Sequence, residues 1–242
     1  MQMDEKQMEP ILFAGYPLGS SLGLIAAFEW LGQPYRVSRV RMPDDMVTRA
    51  YADANGRQET PMLVTEDGVL TETMAIALWL ERRDRGHRVS FEAGRRQSDR
   101  LHQYMAFLNS SFTAAFSPLW VALEMQGVSD QVRETLRIFG RRAVAKRHRQ
   151  LEGMLGGSKY MLGDTPTLAD ALFIGVARWA DFHQAIDAAE YPRIRALKET
   201  LEADRAVVFA HAIEDGKPAA DPGAMVELVP VATALRNAIK AA

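Results

Sequence analysis

Residues 59–76 read Glu-Thr-Pro-Met-Leu-Val-Thr-Glu-Asp-Gly-Val-Leu-Thr-Glu-Thr-Met-Ala-Ile, and this stretch decides the fold. Two short apolar runs within it flank a polar turn, which predicts a β-hairpin. Residues 71–83 place their apolar side chains at helical spacing, so a helix directly follows the hairpin. Pro61 at the start of a strand is unusual and favours a cis Thr60–Pro61 bond, which would turn the backbone N–H and C=O of Thr60 outward.

The segments before the hairpin complete a small α/β domain. Residues 11–14 form a short apolar run typical of a strand, and residues 35–40 alternate as a second strand does. Between them, Ser20 and Ser21 begin a predicted helix that Gly32 ends. The order strand, helix, strand, irregular helical stretch, hairpin, helix predicts a mixed sheet with helices packed on it.

The composition changes after the charged run at residues 82–88, and helical spacing then dominates. Long helices are predicted near residues 101–119 and 132–155, with a kink at Pro118 in the first. Residues 167–170 read Thr-Leu-Ala-Asp, a capping box that begins another helix. Two further helices are expected around residues 191–203 and 205–214.

With 242 residues, the chain is long enough for one large domain or two small ones. We predict a mixed-sheet domain over residues 10–86, an all-helical domain over residues 94–216 and a C-terminal extension over residues 217–242. A last, weak helix is expected at residues 226–241.

Composition excludes several classes of function. The 29 basic and 31 acidic residues leave a net charge of −2, which argues against nucleic acid and an acidic membrane surface as partners. The chain has no cysteine, so disulfides, thiolate metal sites and a cysteine nucleophile are excluded. Without a signal peptide or a long apolar run, a cytoplasmic protein with no membrane span is expected.

Residues 19–23 match the G-x-S-x-G pattern of a hydrolase nucleophile elbow. Only one strand precedes the pattern, whereas an α/β-hydrolase needs several. The five histidines fall in predicted helices or the linker, and no two share the i, i+4 spacing of a metal-binding helix. A serine hydrolase and a metal site are therefore disfavoured.

The same turn supports a different chemistry. Ser20 and Ser21 lie at a helix N-terminus, where amide donors and the helix dipole favour an anion, and a hydroxyl there can donate to a thiolate. After the hairpin, Glu72 offers a carboxylate to an ammonium group and Thr73 a hydroxyl to a carboxylate. Together with the outward backbone of Thr60, these residues predict a site for a short zwitterionic thiol peptide.

At this point the chain resembles the cytosolic glutathione transferases. Residues 11–80 resemble their thioredoxin-like domain, which implies a mixed four-stranded sheet, and residues 95–215 resemble their all-α helical domain. The motifs that carry the resemblance, strong in this order and spacing, are residues 59–63, 70–76 and 162–170. Residues 108–120 and 177–180 most resemble the bacterial beta class.

The resemblance implies how glutathione would bind. The peptide would pair with the backbone of Thr60 beside a cis Pro61, and its γ-glutamyl end would meet Glu72 and Thr73. Arg39 stands where the beta class often has a basic residue near the glycine end of the peptide. The electrophile would lie between the domains, against Tyr104, Phe112, Thr113, Phe116 and Trp179.

Plain core packing is an equally good interpretation for the aromatic side chains of Tyr104, Phe112 and Phe116. Ordinary helix capping is the alternative for Glu72 and Thr73.

Three positions depart from the beta-class pattern. Ser20 stands where the class has its cysteine, Thr113 where it commonly has a histidine, and Ala106 where it contributes an asparagine. A serine cannot form a mixed disulfide with glutathione, so cysteine-type chemistry is excluded. The thiolate would instead be held by a hydroxyl, with Ser20, Ser21 and Tyr16 as the candidate donors.

The sequence therefore predicts a glutathione transferase that conjugates a hydrophobic small molecule, a reaction of detoxification, with glutathione as co-substrate and no metal. Two alternatives stay open, a non-catalytic relative that only binds glutathione or another ligand and a glutathione-dependent peroxidase. A homodimer follows from the resemblance alone.

Overall fold

The computed structural model describes residues 9–218, 220 and 222–241. Within them the chain forms two compact units. The first comprises residues 9–83 and the described part of residues 205–241, and the second, the helical unit, comprises residues 84–204. The helix that begins at Arg205 and the C-terminal extension therefore pack with the mixed-sheet unit. The boundaries between the two units thus differ from the predicted domain boundaries.

The first unit is built on a five-stranded mixed sheet in the order β4-β3-β1-β2-β5. The central strand β1 is parallel to β2 and antiparallel to β3, and β3 and β4 form the hairpin. The strands are β1 Ile11–Tyr16, β2 Tyr35–Arg41, β3 Met62–Thr65, β4 Gly68–Thr71 and β5 Met225–Leu228. The predicted order of the first four strands, together with the hairpin, is confirmed.

The fifth strand corrects the predicted four-stranded sheet. The segment Met225–Leu228 is extended and pairs in parallel with β2, although a helix was expected from residue 226, and the last helix begins only at Val231. The exposed hydrogen-bonding edge of β2 takes up this segment, since an unpaired strand edge favours a further strand.

The α-helices before residue 84 and from residue 205 onwards belong to the sheet unit, and those within residues 84–204 form the second unit. They are α1 Ser21–Leu31, α2 Arg49–Ala54, α3 Thr73–Glu81, α4 Arg96–Phe107, α5 Ser117–Glu124, α6 Asp130–Met154, α7 Leu168–Ala177, α8 Trp179–Phe182, α9 Pro192–Glu202, α10 Arg205–Asp215 and α11 Val231–Ala241. Gly32 ends α1 as predicted, because its φ of 71° is left-handed and glycine adopts that conformation without a Cβ clash.

The extension contributes to the core of the first unit. Leu235 and Ala238 of α11 are buried in one apolar cluster with Ile11 and Phe13 of β1. Removing a leucine-sized side chain from water stabilises the fold by about 1.5–3 kcal/mol. Helix α11 is therefore part of the folded sheet unit.

A buried carboxylate fixes the start of β5. Glu29 of α1 is 7% exposed and accepts hydrogen bonds from the hydroxyl of Tyr35 at 2.8 Å and from the backbone N–H groups of Ala224 at 3.0 Å and Met225 at 3.1 Å. Three donors offset the cost of burying the carboxylate. Glu29 thereby ties the extension to α1 and β2.

One long helical stretch, Arg96–Glu124, runs through the helical unit. Its middle is a π-helical segment over Leu108–Phe112 followed by a 3-10 segment over Thr113–Phe116. Pro118 lies in the first turn of α5, so the irregular segment precedes the predicted kink. By length and composition alone this stretch is apolar enough to cross a membrane, a property that buried core helices share.

Helices α5 and α6 approach closely at a glycine. A Cβ built on Gly140 would lie 2.7 Å from the Cγ and Cδ2 atoms of Leu119. Leu119 is 3% exposed, so its side chain has little room to move aside. The contact between α5 and α6 therefore requires glycine at position 140.

The predicted capping box at the start of α7 is confirmed. The Asp170 carboxylate accepts from the backbone N–H and the hydroxyl of Thr167, both at 2.8 Å, and from the N–H of Met161 at 2.9 Å. Burial raises the pKa of Asp170 to about 6, although all three hydrogen bonds favour the ionised form. The box thus fixes both the start of α7 and the preceding turn.

Candidate functional site

Ser20 lies at the N-terminus of α1, and its hydroxyl does not cap the helix. It occupies the N-cap position, but its side chain accepts no hydrogen bond from the helix amides. The Oγ atom of Ser20 instead lies 3.3 Å from the Oγ1 atom of Thr73, the first residue of α3. The N-termini of two helices thus meet at two half-buried hydroxyls, and both helix dipoles favour negative charge there.

Ser21 is placed differently from Ser20. Its side chain is 1% exposed, and its hydroxyl is directed to the carbonyl oxygen of Gly15 at 3.5 Å. A hydroxyl buried against the backbone is less able to reach a ligand than a half-buried one. Of the two serines, Ser20 is therefore the one that a ligand can contact.

Glu72 immediately precedes α3 in a strained backbone conformation. Its φ of 75° and ψ of 124° are rare for a residue with a side chain, and such strain clusters at functional positions. Its carboxylate forms an exposed ion pair with Arg57 at 2.8 Å, and Arg57 also pairs with Glu59 at 2.9 Å. Exposed pairs contribute at most about 1 kcal/mol, so a ligand ammonium group can replace Arg57.

The segment before β3 has the predicted backbone geometry, and the Thr60–Pro61 bond is cis. Among residues 9–218, 220 and 222–241, the N–H and C=O of Thr60 have no hydrogen-bond partner. The carbonyl of the preceding Glu59 accepts from the Tyr51 hydroxyl and from the Asn55 amide, each at 2.8 Å. These bonds hold the segment in place while the backbone of Thr60 stays available.

Gly15 lets this segment approach the end of β1. A Cβ on Gly15 would lie 2.3 Å from the Thr60 Oγ1 atom and 2.6 Å from the Met42 Sδ atom. The Thr60 hydroxyl already donates to that sulfur at 3.2 Å. Any larger residue at position 15 would displace Thr60 from its place beside β1.

Arg39 and Tyr16 lie against each other at the ends of β2 and β1. The Arg39 guanidinium stacks over the Tyr16 ring at 4.2 Å, and its Nη2 donates to the Glu214 carbonyl oxygen at 2.7 Å. The guanidinium thus already holds the end of α10 to the sheet. A contact with the glycine end of glutathione would have to come from its other nitrogen atoms and stays a prediction.

Glu214, a residue that the sequence analysis missed, holds the loop that carries Ser20. Its Oε1 atom accepts from the N–H of Leu18 at 2.5 Å, where the backbone φ is 61°. Its own carbonyl oxygen accepts from Arg39. Glu214 and Leu18 are 196 residues apart, so no local pattern could have identified the contact.

Three of the predicted electrophile contacts lie in the core of the helical unit. Phe112 is 0% exposed and Tyr104 and Phe116 are each 1% exposed. The Tyr104 hydroxyl donates to the carbonyl oxygen of Met154, and burial raises its pKa. Phe112 packs against the ring of His148, 4.7 Å between centroids. These positions favour the core-packing alternative, although the predicted contacts remain untested.

Thr113 and Trp179 are half-buried and therefore more available. The Trp179 ring packs edge-on against Phe116 at 5.6 Å and against Trp120 at 5.4 Å. This group of rings continues to Phe182, which is 49% exposed and stacks on Trp120 at 5.5 Å. An aromatic surface that a flat apolar molecule can contact is thus present in the helical unit.

No metal-binding group accompanies these residues. Within the described part of the chain, no group of three or more histidine, aspartate or glutamate side chains could hold an ion. The site consists of hydroxyls, backbone groups and one carboxylate.

The fold and this site define the class of protein. The strand–helix–strand unit followed by a hairpin and helix is a thioredoxin-like domain, and it is joined to an all-helical unit. The chain matches the family model for the N-terminal domain of glutathione S-transferase over residues 21–83. It matches the model for the C-terminal domain over residues 117–204, and together the two cover more than half of the chain. The chain therefore belongs to the glutathione S-transferase family.

Solved structures share this fold at low sequence identity. A sphingomonad glutathione S-transferase complexed with glutathione is 24% identical with a TM-score of 0.70, covering 85% of this chain and 98% of that one. A glutathione S-transferase from Xylella fastidiosa is 20% identical with a TM-score of 0.76, covering 87% and 100%. The bacterial beta-class enzyme from Sphingomonas chungbukensis is 24% identical with a TM-score of 0.69, covering 84% and 98%. No curated protein sequence matches the chain.

Proposed function

We propose that this protein catalyses the attack of the glutathione thiolate on a hydrophobic electrophile, with the Ser20 hydroxyl donating a hydrogen bond to the thiolate. The observation that carries the proposal is the position of Ser20. Its hydroxyl, which does not cap α1, lies at the N-terminus of that helix and 3.3 Å from the Oγ1 atom of Thr73 at the N-terminus of α3. Both helix ends favour an anion at this place.

The energy required of this arrangement is modest. A free thiol with a pKa near 8.5–9 is only a few per cent ionised at pH 7. Lowering that pKa to about 6.5–7 requires about 2–3 kcal/mol. One hydrogen bond to a charged group supplies roughly 1.5–3 kcal/mol, and the helix dipoles add a smaller amount. The thiolate then displaces the leaving group of the electrophile, or adds to its double bond, and the sulfur–carbon bond forms.

The surrounding residues suit the rest of the peptide. The free N–H and C=O of Thr60 would pair with the extended backbone of glutathione beside Pro61. Glu72 would exchange its exposed partner Arg57 for the ammonium group of the γ-glutamyl residue. The Thr73 hydroxyl would donate to the carboxylate at that same end. A glutathione complex of a sphingomonad relative with the same fold supports this assignment of the ligand.

For the electrophile, the half-buried Trp179 and Thr113 are the better candidates among the five predicted contacts. Holding a hydrophobic electrophile next to the bound thiolate would contribute through proximity. The absence of cysteine from the sequence restricts the chemistry, because the protein cannot form a mixed disulfide with glutathione. Conjugation, the reaction of a detoxifying enzyme, is therefore favoured over thiol transfer. The enzyme would act as a homodimer in the cytoplasm.

The first test is a glutathione titration followed by intrinsic tryptophan fluorescence. We expect saturable binding, and its absence up to about 10 mM glutathione would remove both the transferase and the simple binder. The second test is conjugation of a generic aromatic electrophile by wild type and variants. Ser20→Ala should lower turnover at least tenfold, about 1.4 kcal/mol, and raise the pKa of the bound thiol.

Two matched variants distinguish the candidate donors. Ser21→Ala removes a hydroxyl one residue away and should leave turnover within about twofold, because the Ser21 side chain is buried. Tyr16→Phe should likewise retain activity. A collapse in Tyr16→Phe with an unaffected Ser20→Ala would reassign the donor. Tight glutathione binding without conjugation would indicate the non-catalytic relative, and peroxide reduction without conjugation the peroxidase.

A further inference from the structure

A half-open cavity of about 240 Å³ lies within the helical unit, and none of the residues proposed to bind glutathione lines it. Its wall is largely apolar and includes Phe173, Ala177, Ala180, Ile186 and Ile194. None of the five predicted electrophile contacts lines it. An engineered apolar cavity of about 150 Å³ is sufficient to bind benzene, so this volume holds one ring with a small substituent.

One polar side chain in this wall has an unused acceptor. His148 is 2% exposed, and its Nδ1 atom lies 2.9 Å from the carbonyl oxygen of Val144. Because a carbonyl oxygen can only accept, Nδ1 carries the proton and Nε2 carries a lone pair. Among the residues that the structure describes, Nε2 has no hydrogen-bond partner, although His148 lines the cavity.

The ring is held rigidly and is neutral. It packs on Phe112 at 4.7 Å and on Tyr191 at 5.4 Å between centroids. Burial lowers the pKa of His148 to about 4, so the imidazole is uncharged at neutral pH. A neutral imidazole held by ring packing is an acceptor of defined direction, and a ligand that donates an O–H to it gains a hydrogen bond.

The charged side chains around the cavity are already paired. Lys198 forms an ion pair with Asp181, and Arg195 pairs with Glu199 at 3.8 Å. Glu202 is also engaged with a partner. The charges of these side chains are balanced within the pairs, so a ligand bound against the apolar wall needs no charge of its own.

From the cavity volume, its apolar wall and the free His148 acceptor, we propose that the helical unit binds a small uncharged phenol, with the ring in the cavity and the hydroxyl donating to His148 Nε2. Tyr191, whose hydroxyl donates to the Ala145 carbonyl oxygen at 3.3 Å, closes one side of the site. This site is independent of the proposed glutathione chemistry, because it uses neither Ser20 nor any other residue of that site.

The test compares phenol with anisole, which has the same ring and no O–H to donate. Calorimetric titration of the full chain should give a Kd of about 1 mM or tighter for phenol, within reach of a seven-atom ligand. Anisole should bind at least threefold more weakly, as expected for one lost hydrogen bond. In ¹⁵N-labelled protein, the Nε2 resonance of His148 should shift with phenol and not with anisole.

Variants separate the hydrogen bond from the cavity. His148→Phe should remove the preference for phenol over anisole, whereas His102→Phe, at an exposed position of α4, should retain it. Ala188→Trp, at the exposed rim, should weaken both ligands alike. If His148→Phe does not fold, the phenol–anisole comparison and the Nε2 shift on wild type decide the question. Equal binding of phenol and anisole, or no saturable phenol binding up to about 10 mM, would overturn the proposal.

Discussion

The Oγ atom of Ser20 and the Oγ1 atom of Thr73 lie 3.3 Å apart, although 53 residues separate them in sequence. The contact joins the first turn of α1 to the first turn of α3. Either hydroxyl can donate the hydrogen bond to the other. The direction of this bond therefore couples the two helix N-termini. Two hydroxyls at this point can serve two different groups of a thiol peptide separately, the thiolate and the γ-glutamyl carboxylate.

This division of roles predicts different kinetics for the two positions. Thr73→Val keeps the side-chain shape and removes the hydroxyl, so it should raise KM for glutathione about 12- to 160-fold, the range of one lost hydrogen bond to a charged group. The pKa of the bound thiol should change little, in contrast to Ser20→Ala. The pH profile of kcat/KM for the electrophile, at saturating glutathione, measures the pKa of the bound thiol in both variants. A thiol pKa shifted equally by both substitutions would contradict separate roles.

Glu214 should stabilise the loop that carries Ser20. Glu214→Ala removes the acceptor of the Leu18 N–H, and leaving a partly buried donor unpaired should cost about 1–3 kcal/mol of unfolding free energy. Amide hydrogen exchange across residues 17–20 should accelerate. Glu214→Gln is the matched control, because its amide oxygen can still accept, and it should stay close to wild type. Unchanged exchange in Glu214→Ala would show that the loop is held by other contacts.

Alanine substitutions at two glycines of α6 should change the free energy of unfolding in opposite directions. Gly140→Ala places a Cβ against Leu119 and should destabilise the protein by about 1–3 kcal/mol through overpacking. Gly153→Ala meets no atom within 4 Å and should stabilise it by about 0.5–1 kcal/mol through helix propensity. Urea denaturation of the two variants and wild type measures both. A destabilising Gly153→Ala would mean that the end of α6 is not packed as described.

His148 should make stability depend on pH. Its pKa of about 4 in the folded protein lies below the ordinary value of 6.5, so the unfolded chain binds a proton first as pH falls. Its contribution is therefore complete above pH 6.5 and is lost on the way down to about pH 4. From pH 7.5 to pH 5 the loss should be about 2 kcal/mol.

The measurement is the difference in unfolding free energy between wild type and His148→Gln at both pH values. The opposite contribution of Asp170, whose pKa is raised, cancels in this difference. His102→Gln, the same substitution at an exposed position of α4, is the matched control. A difference that is the same at pH 7.5 and pH 5 would mean that His148 is protonated equally in both states.

An exposed apolar surface on α6 should mediate the proposed homodimer. Phe139 is 63% exposed, and Val132 and Ile138 are each 44% exposed. Val132 and Phe139 lie seven residues apart on one helix face, and an apolar patch of this kind is a candidate contact with a partner, whereas a single exposed apolar side chain is ordinary. Phe139→Asp should therefore shift the protein towards the monomer in sedimentation velocity. Val208→Asp, at a 53% exposed position of α10, should not, and an equal effect of the two would exclude a specific interface.

The sequence could predict elements whose signals are local. Thr167 and Asp170 lie three residues apart, and the spacing alone identified the capping box. Gly32 likewise ended α1 where the pattern stopped. Thr60 and Thr73, which we propose to contact glutathione, were selected by the same kind of local signal, a proline before a strand and a hydroxyl at a helix start.

What the sequence could not predict depends on distant contacts or on burial. Strand β5 has four residues, and it is extended because it pairs with β2, which lies far away in sequence. Helical spacing assigned Phe112 and Phe116 to one face but could not tell a pocket wall from a core. Only packing against His148 and the neighbouring rings shows that these side chains are enclosed.

The C-terminal extension has a consequence for how the chain is made. Because Met225–Leu228 completes the sheet and Leu235 fills its core, the first unit cannot be completed before these residues have been synthesised. Until then the edge of β2 that pairs with β5 is without its neighbouring strand, while residues 84–204 are synthesised and fold. During that interval the unpaired edge is open to pairing with other chains, and addition of β5 removes that edge.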